Sequence, residues 1–255
     1  MTSSLVSANF DLHARLIPSQ TTGMLVFESN ALCHVDSGLA CDTFNIIHVR
    51  NGNSLTSEKL GFTVSHYRRK EFPFCLWVNE ENRNDHTSAV FASIGLKPMN
   101  REVAMVLDLH AFDNSTVTQS SIRVVSNEDE LNDFTTVIAA NWNPADLNVI
   151  RYFQQTSTAW LNPDNRISLL VYYENEQPVA TIEVFPGPED VVGLYSLATL
   201  ASSRGRGIGS AIFKAALVLA KKQGYRHAIL QASDDGIGIY RRMGFSEVSV
   251  YYEYA

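Results

Sequence analysis

Apolar positions along the chain recur with two periods, about two residues and about 3.6, and the switches between them predict the elements. Leu5, Phe10, Leu12, Leu16 and Ile17, set among polar residues, predict an amphipathic helix over residues 2–19 that stops at Pro18. Short strands are predicted at Met24–Phe27 and around Asn30–Asp36, and FNIIHV at 44–49 is the clearest strand of the first half. A turn at Arg50-Asn51-Gly52-Asn53 leads into a helix from Ser57 or Glu58 to about Phe72, which Pro73 ends ahead of a strand in PFCLWVN. A short helix at Thr87–Ile94, the pair Gly95-Leu96 and a strand at Val103–Leu109 follow.

The polar stretch NSTVTQSS, Asn114–Ser121, is the expected linker, with a domain boundary near residue 115. Beyond it come a strand at Ile122–Val125, a helix capped by Asn127 and running to about Ala140, and a second helix from Pro144-Ala145 to Trp160 that Pro163 and Asn165 close. ISLLVYY at 167–173 and VATIEVF at 179–185 pair as a hairpin around Glu174–Pro178, until Pro186, Gly187 and Pro188 break the second arm. VVGLYSLATL at 191–200 suits a buried strand; an apolar helix through Lys222, the strand HAILQA and a last strand to about Tyr252 complete the chain.

Candidate chemistry concentrates between that strand and that helix. Gly205, Gly207 and Gly209 let the backbone turn tightly. The helix behind them directs its unpaired first amides, and the positive end of its dipole, into the turn, which suits phosphate. Arg204 and Arg206 add two cations, so a pyrophosphate is the expected occupant. A Walker A loop is excluded, because no Lys followed by Ser or Thr stands after the second glycine. A dinucleotide loop fits poorly: Gly205, Gly207 and Ser210 approach GxGxxG, but Leu200 to Arg204 intervene and Ser210 stands where Gly or Ala belongs. The spacing Arg-x-x-Gly-x-Gly, here Arg204, Gly207 and Gly209, resembles the acyl-CoA pyrophosphate loop of the GNAT family of N-acetyltransferases. A second segment agrees: in ASDDGIGIYRRMGF, Tyr240 and Met243-Gly244-Phe245 resemble the family's Asn or Ser, short helix, Tyr and Leu-Gly-Phe. The resemblance spans the chain from Ile122 to its end.

The first half repeats this order. FNIIHV matches LYSLAT, the helix at 57–72 matches 208–222, CLWVN matches AILQA, and Ile94-Gly95-Leu96 matches Met243-Gly244-Phe245; His48 to Gly95 is 47 positions and Thr199 to Gly244 is 45. The expected fold is therefore α/β (α+β), two tandem GNAT-like domains, each a mixed, mostly antiparallel central sheet flanked by helices. Residues 1–115 are expected to form a degenerate, non-catalytic domain and 121–255 the N-acetyltransferase domain. The counterpart loop RNGN lacks the three glycines, and no Tyr precedes Gly95 as Tyr240 precedes Gly244, so the first domain should bind acyl-CoA poorly. After Phe245 only one strand has room where the family usually closes with two, and the first domain is expected to supply what is missing.

A length of 255 residues with 45% hydrophobic and 18% charged residues fits two ordinary domains and argues against disorder. No apolar run approaches the ~20 residues of a membrane helix, and the start MTSSLVSANF has no basic region or apolar core for export, so a cytoplasmic protein without membrane attachment is expected. Cys33, Cys41 and Cys75, with no CxxC, read as free thiols, and no metal is expected. Net charge is −3 over residues 1–120, −8 over 121–200 and +4 over 201–255. The basic part coincides with the proposed phosphate loop; the acidic part fits either a cationic acceptor or a solvated surface. The overall charge of −7 disfavours general nucleic-acid binding.

The resemblance also implies roles. The backbone of Leu197, Ala198 and Thr199 would pair with the pantetheine arm of acetyl-CoA and polarise its carbonyl. Arg204, Gly205, Arg206, Gly207, Ile208, Gly209 and Ser210 would hold the pyrophosphate, and Ser233, standing where the family often has Asn, would bond the cofactor arm. Tyr240 would contact the cofactor and protonate the leaving thiolate. The family has no fixed base. Glu183 alternates with Ile182 and Val184 and points either into the cleft or to solvent at an edge; Tyr195 and Ser196 are further candidates. The expected activity is acetyl transfer from acetyl-CoA to a small amine or peptide amine, with the acceptor site at 141–166. Alternatives are a non-catalytic acyl-CoA sensor and an aminoacyl-tRNA-dependent transferase, the latter disfavoured by the intact pyrophosphate loop. The first domain serves as a homodimer surface, a substrate wall or a structural prop; sequence does not choose.

Overall fold

The computed structural model describes residues 3–113, 121–234 and 236–255, so the expected linker lies almost wholly outside the described residues. The chain forms two compact units, Met1–Met105 with Gln231–Ala255 and Val106–Leu230. The last 25 residues thus group with the first unit.

The first unit begins with α1 (Ser3–Ser19), which runs through Pro18 rather than stopping there. Hydroxyls meet its last carbonyls, Ser19 Oγ donating to Leu16 O at 2.7 Å and Thr21 Oγ1 to Ile17 O at 2.9 Å. The strands β1 (Leu25–Glu28), β2 (Leu32–Asp36), β3 (Ile46–Val49) and β4 (Cys75–Asn79) lie in that order. The first two pairings are antiparallel and β3 with β4 is parallel. The parallel pair needs a crossover, supplied by α2 (Ser57–Lys70), which is capped by Thr56 and closed by Glu71 in a left-handed conformation (φ 57°). Next come α3 (Asp85–Ile94), opened by a capping box on Asn84, and β5 (Pro98–Asp108), which is longer than its apolar run and crosses from the first unit into the second. From the far end of the chain, α8 (Ile237–Arg242) and β11 (Ser246–Tyr254) belong here: β11 pairs antiparallel with β4 and lies next to β5. The first domain's sheet is therefore completed by the strand that ends the chain. Leu60, Val64 and Tyr67 of α2, Leu76 and Val78 of β4 and Phe91 of α3 fill its core.

In the second unit β6 (Ile122–Val124), β7 (Ser168–Glu174), β8 (Gln177–Pro186), β9 (Val191–Thr199) and β10 (His227–Ala232) are adjacent in that order. All neighbours are antiparallel except β9 with β10, which α7 (Ile208–Lys222) connects in parallel. The two βαβ crossovers, β3-α2-β4 and β9-α7-β10, are the repeat that the spacing predicted. Asn175 and Glu176, with φ 51° and 62°, make a tight two-residue turn between β7 and β8. Val179–Phe185 is buried at every position, because α4 (Glu128–Ala139) and α7 both pack on β8. The single helix expected from Ala145 to Trp160 is instead α5 (Leu147–Gln155), capped by Asp146, and α6 (Ser157–Trp160). Thr156 makes the break: its hydroxyl donates back to Tyr152 O at 2.7 Å.

Candidate functional site

Strand β9 departs from regular pairing where the glycine loop approaches. Against β8, Thr181 faces Ala198 and Glu183 faces Tyr195, so Ser196 and Leu197 together oppose Ile182 in a bulge. Ser196 takes the left-handed conformation this requires, φ 53°. On its other side β9 is laddered with β10 over Val191–Gly193 only. Beyond Gly193 the backbone to Thr199 has no ladder with β10 among the described residues.

After a 3-10 turn at Ala201–Ser203, Gly205 and Gly207 sit at φ 74° and 79°, a region that costs any other L-residue about 1–2 kcal/mol. Gly207 is the N-cap of α7 and no side chain caps this end, so the amides of Ile208, Gly209 and Ser210 face outward without a side-chain acceptor on the cap. A Cβ on Gly209 would stand 3.1 Å from Thr199 Oγ1, so the helix start and the strand end are in close contact. The two arginines have protein partners. Arg204 donates to Thr199 O at 2.9 Å and to Asn141 Oδ1 at 2.8 Å, while Arg206 pairs with Glu174 through two contacts, one of 2.8 Å. Both are exposed, and such surface contacts are weak enough to exchange for a phosphate.

Glu183 is 1% exposed and lies on a strand with neighbours on both sides, so the solvent-facing edge position is ruled out. Its Oε2 accepts from Ser196 Oγ at 3.1 Å, tying the carboxylate to the bulge. The charge of Glu183 adds to burial in pushing the Tyr152 phenol upward.

Ser233 and Tyr240 stand in the first unit. Ser233 is exposed, and its carbonyl accepts from the amides of Gly236 at 2.8 Å and Ile237 at 3.2 Å, opening α8. Tyr240 is half-buried with its ring 6.0 Å from that of Phe245, edge-on. Burial, and then the charge of Glu102, push its phenol up to about 12, so it stays protonated at neutral pH. Gly244, at φ 93°, closes α8: its amide donates to Arg241 O at 3.1 Å and that of Phe245 to Tyr240 O at 3.0 Å. The same closure ends α3, with Gly95 to Ala92 O and Leu96 to Phe91 O, both at 3.0 Å. Phe91 therefore holds the place of Tyr240 in the first domain and lacks the hydroxyl. The counterpart of the glycine loop is filled from within: Gly52 N donates to Asn82 Oδ1 at 2.8 Å, and Thr56 Oγ1 takes the Lys59 amide of α2 at 3.2 Å.

The sequence pattern passed over Glu102. It is half-buried on β5, and burial together with Glu253 raises its carboxyl to about 7. The one available signal was a Glu leading the apolar run VAMVL. Among the described residues no group of three His, Cys, Asp or Glu side chains is placed to hold a metal ion. No described helix is long and apolar enough to cross a membrane.

Comparison with known proteins decides what this bulged strand, glycine turn and Tyr-containing helix amount to. Residues 128–245 match the acetyltransferase (GNAT) family. This segment is a GNAT acetyltransferase domain. The fold of nearly the whole chain is similar to that of a GCN5-related N-acetyltransferase from Kribbella flavida: TM-score 0.66 at 15% identity, covering 97% of this chain and 94% of that one. It is also similar to a tandem GNAT protein from the clavulanic acid biosynthesis pathway, with TM-score 0.62, 13% identity, and coverage of 96% and 86%. A conserved protein of unknown function from Staphylococcus epidermidis gives TM-score 0.66 at 17% identity over 89% and 91%. The architecture is two tandem GNAT-like domains, the first degenerate at its loop and at Phe91. Family and fold together support acyl-CoA-dependent acetyl transfer in general.

Proposed function

We propose that the protein is an N-acetyltransferase that moves the acetyl group of acetyl-CoA to the amine of a small molecule or peptide. The observation that carries this reading is the edge of β9 beyond its short ladder with β10, followed by the glycine-built start of α7 that no side chain caps. There Leu197, Ala198 and Thr199 meet the pantetheine arm, and the amides from Gly205 to Ser210, with Arg204 and Arg206, meet the pyrophosphate. The acceptor nitrogen attacks the thioester carbon directly, the C–S bond breaks, and the Tyr240 hydroxyl gives its proton to the departing sulfur. Ser233 bonds the cofactor arm. Glu183, closed off from solvent, holds Ser196 and so the shape of the bulge rather than meeting the amine itself. The 121–255 segment is the catalytic domain, the 1–115 segment a non-catalytic one, and the protein works in the cytoplasm on an acceptor drawn to the acidic 121–200 region.

Tyr240→Phe tests the assignment. Acetyl-CoA affinity is expected to stay within a few-fold of wild type while kcat falls roughly 10²-fold or more over an amine panel. Unchanged kcat removes Tyr240 from the chemistry. Acetyl-CoA binding by the wild type without turnover on any amine identifies a sensor instead.

A further inference from the structure

The first domain, non-catalytic in acetyl transfer, holds a second constellation whose members all lie in the first unit. The register of β2, β3 and β4 sets His48 between Cys33 and Trp77, and that of β4 with β11 sets Tyr251 opposite Asn79, so His48, Trp77 and Tyr251 share one face of the sheet. α1 packs on that face: the ring of Phe10 lies 5.1 Å from those of His48 and Trp77 and 5.7 Å from that of Tyr251. Ser7 and Asp11, one helical turn apart on α1, meet the two ring nitrogens of His48. Asp11 Oδ1 is 3.0 Å from Nδ1, and Ser7 Oγ is 3.4 Å from Nε2. Asp11 is itself held in place, accepting from Arg50 Nε at 2.7 Å, Arg50 Nη2 at 2.6 Å and Arg15 Nε at 3.0 Å. Burial works against its charge, but the hydrogen bonds of His48 and then Arg50 outweigh it and hold Asp11 well below the usual carboxylate range. A carboxylate only accepts, so Nδ1 carries the proton and donates, which leaves Nε2 to accept from the Ser7 hydroxyl. His48 is 1% exposed, whereas Ser7 is half-buried and reaches solvent. Tyr251 is fully buried, and its hydroxyl makes no hydrogen bond. Burial keeps that phenol protonated; Ser7 Oγ is near enough to act the other way, yet outside hydrogen-bond geometry. A buried donor left unpaired is costly and marks a place for an absent acceptor.

We propose that Ser7, His48 and Asp11 form a second catalytic centre, a nucleophile, a general base and a positioning carboxylate that hydrolyse small uncharged acyl esters, with the Tyr251 hydroxyl receiving the carbonyl oxygen. Phe10, Trp77 and Tyr251 are its aromatic surroundings, which suit a short acyl or aryl ester. Ser7 Oγ attacks the ester carbon as His48 Nε2 takes its proton, and Tyr251 O–H donates to the carbonyl oxygen as that atom gains charge. The C–O bond to the alcohol breaks, His48 gives the proton to the departing alkoxide, and the acyl group stays on Ser7. Water then attacks the acyl carbon and passes a proton to His48. The bond to Ser7 Oγ breaks, Ser7 takes that proton back, and the carboxylic acid leaves. One ester and one water thus give one acid and one alcohol. Read as packing alone, the same contacts leave the unpaired Tyr251 hydroxyl unexplained. The centre uses no residue of the acetyl-transfer reading.

The experiment treats the whole chain with a fluorophosphonate, locates the label by peptide mass spectrometry, and follows hydrolysis of 4-nitrophenyl acetate in wild type, Ser7→Ala, His48→Gln, Asp11→Asn and Tyr251→Phe. The wild type is expected to carry the phosphonyl group on Ser7. Ser7→Ala and His48→Gln should lose that label and roughly 10²-fold or more of kcat on the ester. Asp11→Asn should lower kcat and leave KM within a few-fold, the split expected of a residue that orients the imidazole. Tyr251→Phe removes a hydroxyl that bonds nothing in the free protein, so Tm should stay near that of wild type while kcat falls roughly 10²-fold. Label on wild-type Ser7 supports the centre even where His48→Gln folds poorly. Ser7 left unlabelled while other residues react, or wild-type kcat in Ser7→Ala or Asp11→Asn, overturns the inference. Either result leaves the acetyl-transfer reading where it stands.

Discussion

Replacing Gly207 by Glu tests the anion-binding start of α7 most directly. Gly207 has φ 79° and nothing within 4 Å of where a Cβ would stand, so a Cβ there meets no clash. The conformational cost is about 1–2 kcal/mol, and an acidic residue at a helix N-terminus returns roughly 0.3–1 kcal/mol of it. The variant should therefore fold with a modestly lower Tm. Its carboxylate stands where a pyrophosphate is proposed, and one charge at ~4 Å from another costs about 1 kcal/mol in water and about 4 kcal/mol at an effective dielectric of 20. Binding of acetyl-CoA should weaken between roughly 5-fold and 10³-fold. In a thermal-shift assay, ligand at ~100 times its Kd stabilises the wild type by about 2.7 kcal/mol, a shift of roughly 5–11 °C at about 2–4 °C per kcal/mol. A 30-fold weaker variant at the same concentration gains about 0.8 kcal/mol, a shift of roughly 2–3 °C. Gly207→Ala, with the same backbone cost and no charge, should keep nearly the full shift. Equal shifts in wild type and Gly207→Glu, or a shift with NADH as large as with acetyl-CoA, would refute the placement of the pyrophosphate.

Three further outcomes follow from the geometry. Ser196→Ala removes the hydroxyl that meets the buried Glu183 carboxylate and should cost about 1–3 kcal/mol in urea unfolding, with a raised KM for acetyl-CoA as the bulge loosens; wild-type values for both would show that the bulge does not depend on this bond. Gly52→Ala puts a methyl 2.3 Å from the Asn82 carbonyl oxygen, a backbone atom that cannot step aside, so loss of several kcal/mol or of soluble protein is expected. His34, 4% exposed, stacked 4.6 Å from Phe27 and facing Tyr67, His66 and Asp36, has its pKa lowered to about 4 from 6.5. Between those values the unfolded chain binds more protons than the folded one, so stability falls as pH drops from 6.5 toward 4, by up to about 3 kcal/mol, and is unaffected by this group above 6.5. Denaturant titrations at pH 4.5 and 7.5 should show a smaller pH difference in His34→Gln than in wild type.

The local elements were legible because their causes are local. α7 and β10 have the bounds read from the apolar run through Lys222 and from HAILQA, since the glycines and the polar turns that delimit them act on their own neighbours. The repeat of strand, helix, strand and Gly-closed helix was visible as spacing, and the structure shows both crossovers and both closures. The single helix expected from Pro144-Ala145 to Trp160 failed at Asp146 and Thr156: each offers its side chain to nearby backbone, and that competition moved the start of one helix and divided it from the next.

By itself, then, the sequence determined the strand–glycine turn–helix unit, the family it resembles and the weakness of the first domain's loop, because each depends on backbone freedom and hydrogen-bonding groups within a few residues. Tertiary structure alone decided which strand β11 would pair with and that Glu183 would be buried against a bulge at Ser196. A side chain's solvation and charge environment are set by strands and helices tens to hundreds of residues away, and no pattern along the chain carries that information.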